Sequence, residues 1–391
     1  MSNLTIYTDH AHESDLKKFF GIYDLQKILV APKEKQRYEV PSKDRVCRFC
    51  HRKYPYVTFR SLAHIIPESL GNRYLVSEIE CDDCNHIFGR LDDQLINFIG
   101  VTRSLNGTRG KKETGKPNYP SHDKRVKVTH ERFLNDPNAI RIDLAEAGNG
   151  AYNADLASNT QTFTFTKTPY VPLKVYLSLL KMAICIMPDN EMVNYTRLLD
   201  LINTAKKKDI KYDVSGAIAS ICLFNLDFGN DMPYLMLFKK RDEKAEIPTH
   251  VLRLAARNFS IEVKIPLHKD DAFVNSGKEI ELMDCPPLFF SPYEESDTPA
   301  YKFFRKDLSS SEKVVDDLEQ VTFTFTEKWL ENLVKIDLDT GKMEKEAFDV
   351  SEIKGLWISN ASISVRPDDE SVNTSQRSGE IDGAENCEET N

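Results

Sequence analysis

Two Cys-x-x-Cys pairs, Cys47 and Cys50 in the run CRFC and Cys81 and Cys84 in CDDC, constrain this chain more than any other feature of its 391 residues. Two residues between thiols let one tight turn aim both sulfurs at a single point, and four thiolates complete a tetrahedral site for structural Zn²⁺. A redox dithiol is the other chemistry open to such a motif. Thirty residues separate the pairs, more than a simple zinc ribbon needs, so the insert is expected to carry structure of its own. His51 and His86 stand beside the pairs, yet four sulfurs already saturate the ion. Cys185, Cys222 and Cys285 lie singly in apolar runs and Cys387 in a polar tail; these read as inert thiols.

The N-terminal residues lack a basic region followed by an apolar run, and no stretch approaches the ~18 consecutive apolar residues of a membrane helix. A cytoplasmic protein with reduced thiols and no membrane partner is the expectation. Its net charge of −9 is unevenly distributed. From Pro367 to Asn391 eight acids face Arg377 alone, whereas between Val101 and Phe133 nine cations face three acids. A local basic footprint of the second kind is what phosphate binding requires, whatever the whole-chain charge.

The chain divides into a lead-in (1–44), a metal domain with a basic extension (45–133), a larger region (134–366) and an acidic tail expected to be disordered (367–391). Helical spacing is expected over Ser14 to Tyr23, Leu173 to Met187 and Glu191 to Lys207. Strands are expected at Leu4 to Tyr7, in the alternating Thr162 to Thr166 run, over Ile218 to Phe228, Tyr234 to Lys239, Val251 to Ala255 and Phe259 to Ile265, and at Val321 to Thr326. The two TFTFT runs read as separate strands, not a repeat. The large region is thus an α+β domain with mostly antiparallel strands.

Within the insert the chain reads Ala63-His64-Ile65-Ile66-Pro67-Glu68-Ser69-Leu70-Gly71-Asn72, and the second pair continues Cys84-Asn85-His86-Ile87-Phe88-Gly89. A histidine heading an apolar strand, a Leu-Gly turn, and Cys-x-x-Cys-Asn between zinc pairs resemble the HNH (His-Me finger) endonuclease superfamily, in its four-cysteine branch. The resemblance implies a zinc-stapled ββα-metal, treble-clef-like domain that hydrolyses phosphodiester bonds of nucleic acid, DNA in the first instance. It implies that His64 is the general base, and that Asn85, on a helix running from about Cys84 through Leu95, lies on the side of a catalytic Mg²⁺ or Mn²⁺. Zinc would fold the domain and the second cation would do the chemistry.

One position departs from the family pattern. An acidic residue or histidine usually precedes the base as a cation ligand, and Ala63 cannot ligate. Glu68, Asn72, Asp83 or His86 is then expected to substitute; the alternative is a zinc-stabilised DNA-binding or scaffold protein that no longer cleaves. Arg90, Arg103, Arg109, Lys111 and Lys112 are the candidate phosphate contacts, and nothing resembles a base-reading element. A third reading, an interaction protein without a nucleic-acid role, requires the 101–133 cations to be buried in an interface. Similar stand-alone chains look like bacterial defence or mobile-element nucleases, in which the larger region would sense a trigger, hold a protein partner or a second copy, or extend the DNA platform.

Overall fold

The computed structural model describes residues 6–8, 10–35, 40–108, 117–132, 136, 139–155, 157–204, 216–224, 230–271, 283–289, 301–324, 335–336, 340–344 and 353–358. In chain order its helices are α1 (Glu13–Ile22), α2 (Asp82–Ile99), α3 (Thr102–Leu105), α4 (Pro172–Ile186), α5 (Asp189–Met192) and α6 (Thr196–Thr204). Its strands are β1 (Tyr23–Val30), β2 (Tyr119–Pro120), β3 (Val126–His130), β4 (Ile140–Leu144), β5 (Tyr152–Asp155), β6 (Thr160–Thr166), β7 (Ile218–Phe224), β8 (Asn230–Lys240), β9 (His250–Arg257), β10 (Phe259–Ile265), β11 (Tyr301–Asp307), β12 (Leu318–Thr324), β13 (Lys335–Ile336), β14 (Met343–Glu344) and β15 (Gly355–Ile358). The chain packs as two compact units, residues 1–129 with 164–320, and residues 130–163 with 321–391.

In the first unit a six-stranded antiparallel sheet runs β1-β8-β9-β10-β7-β11. Alternation divides its side chains between two cores. Leu235, Leu237, Leu252 and Leu254 pack with α4 on one face, while Tyr234, Met236, Phe238 and Val251 pack with Phe19 and Tyr23 at α1 on the other. Both faces are covered, so β9 and β10 are buried almost end to end.

Helix α4 is buried at every position except Lys174, as expected of a helix whose apolar residues run all the way round. It lies between the sheet and the metal segment: Tyr176 donates its hydroxyl to the Lys264 carbonyl of β10 at 2.8 Å, and α2 packs along the other side. Helix α2 presents Cys84, Phe88, Leu91, Leu95, Phe98 and Ile99 on one stripe, and Gly100, at φ +70°, ends it.

In the second unit β4 pairs with β15, where the Arg141 guanidinium lies over the Trp357 ring at 5.3 Å, and β5 pairs with β6. The two TFTFT runs turn out to be neighbours, the hydroxyls of Thr162 and Thr322 being 2.9 Å apart.

Three expectations change. The single helix over Glu191 to Lys207 breaks into α5 and α6, because Tyr195 turns into the core and shares a 2.8 Å hydrogen bond with His250 Nδ1. Helix α2 begins at Asp82 and extends to Ile99, longer than the expected span at both ends. Tyr23, expected at the end of a helix, instead opens β1, an edge strand whose burial follows no clean alternation. Of the expected Leu4 to Tyr7 strand, Tyr7 forms an isolated bridge with Phe289. Ile6 lies in no strand; Leu4 and Thr5, the last three residues of the Glu191 to Lys207 run, the ends of the Ile218 to Phe228 and Val321 to Thr326 runs and the acidic tail lie outside the described residues. No helix among the described residues is long and apolar enough to cross a membrane.

Candidate metal centre and HNH site

Four sulfurs converge. Those of Cys47, Cys50, Cys81 and Cys84 all lie within 4.8 Å of one another, with Cys47 to Cys84 at 3.8 Å and Cys50 to Cys81 at 3.7 Å. A tetrahedron with metal–sulfur bonds of about 2.3 Å has sulfur–sulfur edges of about 3.8 Å, so the set is spaced for Zn²⁺. A disulfide would need about 2.05 Å, and all four are free thiols. This crowding splits their acidities: contact with Cys81 and Cys84 holds the Cys47 thiol far below its ordinary range, and contact with Cys47 pushes Cys81 up to about 12. Only a bound cation lets all four carry charge together.

Each pair owes its place to local geometry. His51, at φ +57°, closes the turn after Cys50 with its N–H on the Cys47 carbonyl, and the residue is exposed. Cys81 caps the N-terminus of α2 and directs its backbone N–H at the Cys47 sulfur, 3.5 Å away. Arg48 donates to the carbonyls of Ile184 and Met187, both at 2.8 Å, capping the C-terminal end of α4. Phe49 and Phe88 stack edge to face at 4.8 Å beneath the cluster.

The insert forms a hairpin. His64 bridges Val76, with the Ser77 N–H on the Ala63 carbonyl and the Ile65 N–H on the Leu75 carbonyl. Alternation buries Ala63 and Ile65 and leaves His64 on the opposite side, its side chain 16% exposed. Glu68 Oε2 lies 3.9 Å from His64 Nε2. Residues Glu68–Leu70 make a short turn closed by Gly71 at φ +93°, a conformation that excludes a side chain more firmly than the space around it does. Asp82, in the first turn of α2, accepts the N–H groups of Arg60 and Ser61 at 3.0 and 2.8 Å and the hydroxyl of Thr58. The helix carrying Asn85 is therefore pinned to the segment that runs into His64.

Asn72, expected among the candidate cation ligands, is withdrawn from them. Fully buried, it donates to the Ile66 and Leu75 carbonyls at 2.7 and 2.8 Å and accepts the Leu75 N–H at 2.8 Å, so both ends of its carboxamide are committed to the hairpin. Asp83 pairs with Arg52 at 2.9 Å on the surface. Asn85 is half-buried and its carboxamide makes no hydrogen bond among the described residues. His86 is exposed one position further along, and Glu68 is half-buried beside His64.

Sequence reasoning missed Lys181. This lysine of α4 is 1% exposed and donates to the His64 carbonyl at 2.7 Å, while its ammonium faces Glu80 at 3.5 Å. Burial pushes the Glu80 carboxyl up to about 7 against the pull of Lys181; burial also opposes the charge on Lys181, but Glu80 and Asp92 hold it above its ordinary range. The available signal was a second lysine, seven positions after Lys174, inside the apolar run of α4.

Residues 47–98 match the HNH endonuclease family model. The matched segment starts at the first metal-site cysteine, ends on α2, and contains His64 and Asn85. No curated protein and no solved structure matches the chain.

Around this HNH segment the candidate phosphate contacts divide. Arg90 is exposed on α2; Arg103 is half-buried on α3, where desolvation lowers its pKa; Arg109, Lys111 and Lys112 lie outside the described residues. Lys124, Lys127 and Arg132 are exposed, which speaks against a purely interfacial role for the basic stretch.

Proposed function

We propose that the protein is a metal-dependent HNH endonuclease that cleaves DNA, with zinc as its structural ion. The observation that carries this reading is the four-sulfur cluster inside the family match: it joins the Cys47–Cys50 turn to the helix of Asn85, and Asp82 of that helix binds the segment leading into His64. His64 is the general base: a half-buried imidazole accepts a proton from attacking water, and Glu68 at 3.9 Å stabilises the imidazolium that results. Asn85 offers a carboxamide oxygen without a partner among the described residues, and Glu68 a carboxylate, both suited to a hard cation; exposed His86 completes the candidate set. A Mg²⁺ or Mn²⁺ bound there would stabilise charge on the scissile phosphate and its leaving oxygen. Arg90 and Arg103 supply phosphate contacts that fix position without reading sequence.

A second reading has one observation in its favour. Ala63 is 1% exposed, so core packing occupies the place where the family pattern puts an acidic ligand. On that reading the protein binds DNA as a zinc-stabilised scaffold. Plasmid nicking with Mg²⁺ or Mn²⁺ separates the two: cleavage by the wild type and none by His64→Ala supports the enzyme, whereas DNA binding without cleavage by either supports the scaffold.

A further inference from the structure

His64 and Val76 form a non-hydrogen-bonded pair, because the bonds of this hairpin run through Ala63, Ile65, Leu75 and Ser77. The backbone carbonyl of His64 therefore points off the hairpin edge. Lys181 takes it, at 2.7 Å, from α4, which lies outside the family match. The same ammonium faces Glu80, the residue before the second cysteine pair, and Ser178, one turn earlier on α4, donates to Asp92 of α2 at 2.8 Å. Ser178 and Lys181 thus form a short polar stripe on an apolar helix, and each member touches the HNH segment.

A buried lysine paired with a buried glutamate is a poor device for stability alone, since two apolar side chains of similar volume serve as well or better. What the charged pair provides and an apolar pair does not is direction: an N–H donor aimed at one carbonyl. We propose that Lys181 is a positioning residue for the general base, holding the peptide plane of His64 so that the imidazole is presented at a fixed angle. This inference rests on the nuclease reading and adds to it a dependence of the site on a helix beyond the HNH segment.

The test uses the full chain as wild type, Lys181→Met, Lys181→Arg and the double variant Lys181→Met/Glu80→Met, which removes both charges of the pair while Asp92 keeps its hydrogen bond from Ser178. Zinc content, KM and kcat for plasmid nicking are measured for each. The double variant is expected to retain zinc and a KM within about twofold of the wild type while kcat falls at least tenfold, and Lys181→Arg, which keeps a donor, is expected to recover most of that loss. Wild-type kcat in the zinc-loaded double variant overturns the proposal while leaving the nuclease intact. Loss of zinc from the double variant also overturns it, by making Lys181 a support of the metal fold. An inactive wild type removes the nuclease reading and this one with it.

Discussion

Substituting Asn72 separates a structural carboxamide from a metal-binding one. Its side chain makes three buried hydrogen bonds, to Ile66 O at 2.7 Å, to Leu75 O at 2.8 Å and from Leu75 N at 2.8 Å. At about 1 kcal/mol net for each bond, Asn72→Ala costs about 3 kcal/mol of hairpin stability. Asn72→Asp costs more, because an acceptor oxygen then stands where two N–H donors stood and faces two carbonyl oxygens, inside a site with no access to water. Were Asn72 a cation ligand, the order would reverse: aspartate would preserve or strengthen metal binding while alanine abolished it. Hydrogen exchange of the 63–77 segment reads the difference directly. A loss of about 3 kcal/mol in local opening energy speeds exchange of the Ile65 and Ser77 amides at least a hundredfold, and Asn72→Asp exceeds Asn72→Ala. Wild-type protection in Asn72→Asp, with Mg²⁺-dependent cleavage retained, would refute the argument.

Metal analysis should return one zinc ion per chain, and chelation or Cys84→Ser should expose the 45–99 region to protease; protection unchanged in the zinc-free protein would remove the structural role of the cluster. Arg48→Met strips two charged donors from the Ile184 and Met187 carbonyls and is expected to cost about 2 kcal/mol in urea unfolding, an expectation that fails if the midpoint does not move. His250 is fully buried, and desolvation holds its pKa down at about 3, against the attraction of Glu191. Its depressed value means that protonation favours the unfolded chain: this stability is complete above about pH 6.5 and drains away as pH falls towards 3, amounting to a loss of about 2 kcal/mol at pH 5. His250→Gln should flatten the fall in unfolding free energy between pH 7 and 5; an equal slope in variant and wild type would assign the loss elsewhere.

How much of this site the sequence disclosed depends on how many roles each residue type can play. Paired cysteines at a spacing of two residues have few alternatives, so the cluster was legible, and the family resemblance gave α2 over Cys84 to Leu95, short of its observed ends. Strand-like runs gave four strands of the sheet, β7 to β10, whereas β1 and β11 were not read from the sequence. An asparagine is ambiguous: Asn72 and Asn85 are both carboxamides in a short run, and only the backbone around Asn72 makes it a staple, while Asn85 has no side-chain hydrogen bond among the described residues. The role of Lys181 was hidden for a related reason, since a lysine in a helical pattern is ordinarily a solvated charge and its partners lie 101 and 117 residues away in sequence. The break before α6 was hidden because Tyr195 suits a helical apolar pattern, and the pull on it comes from His250, which belongs to a strand.

These placements bear on what the zinc stabilises. Helix α4 is buried at every position but Lys174 and could not face water, yet the sheet covers only one side of it; the other side is closed by α2 and by the hairpin of His64. Cys47, Phe49, Ile66 and Phe88 accordingly belong to the same continuous core as Tyr176, Leu180, Leu252 and Val263. Free energy released when an ion draws the four sulfurs together would therefore not be confined to the HNH segment: it would hold closed the apolar cover over α4, and through α4 bear on the buried strands β9 and β10. The coupling is reciprocal by thermodynamic necessity, so substitutions that loosen α4 against the sheet should weaken zinc retention although they lie far from any sulfur.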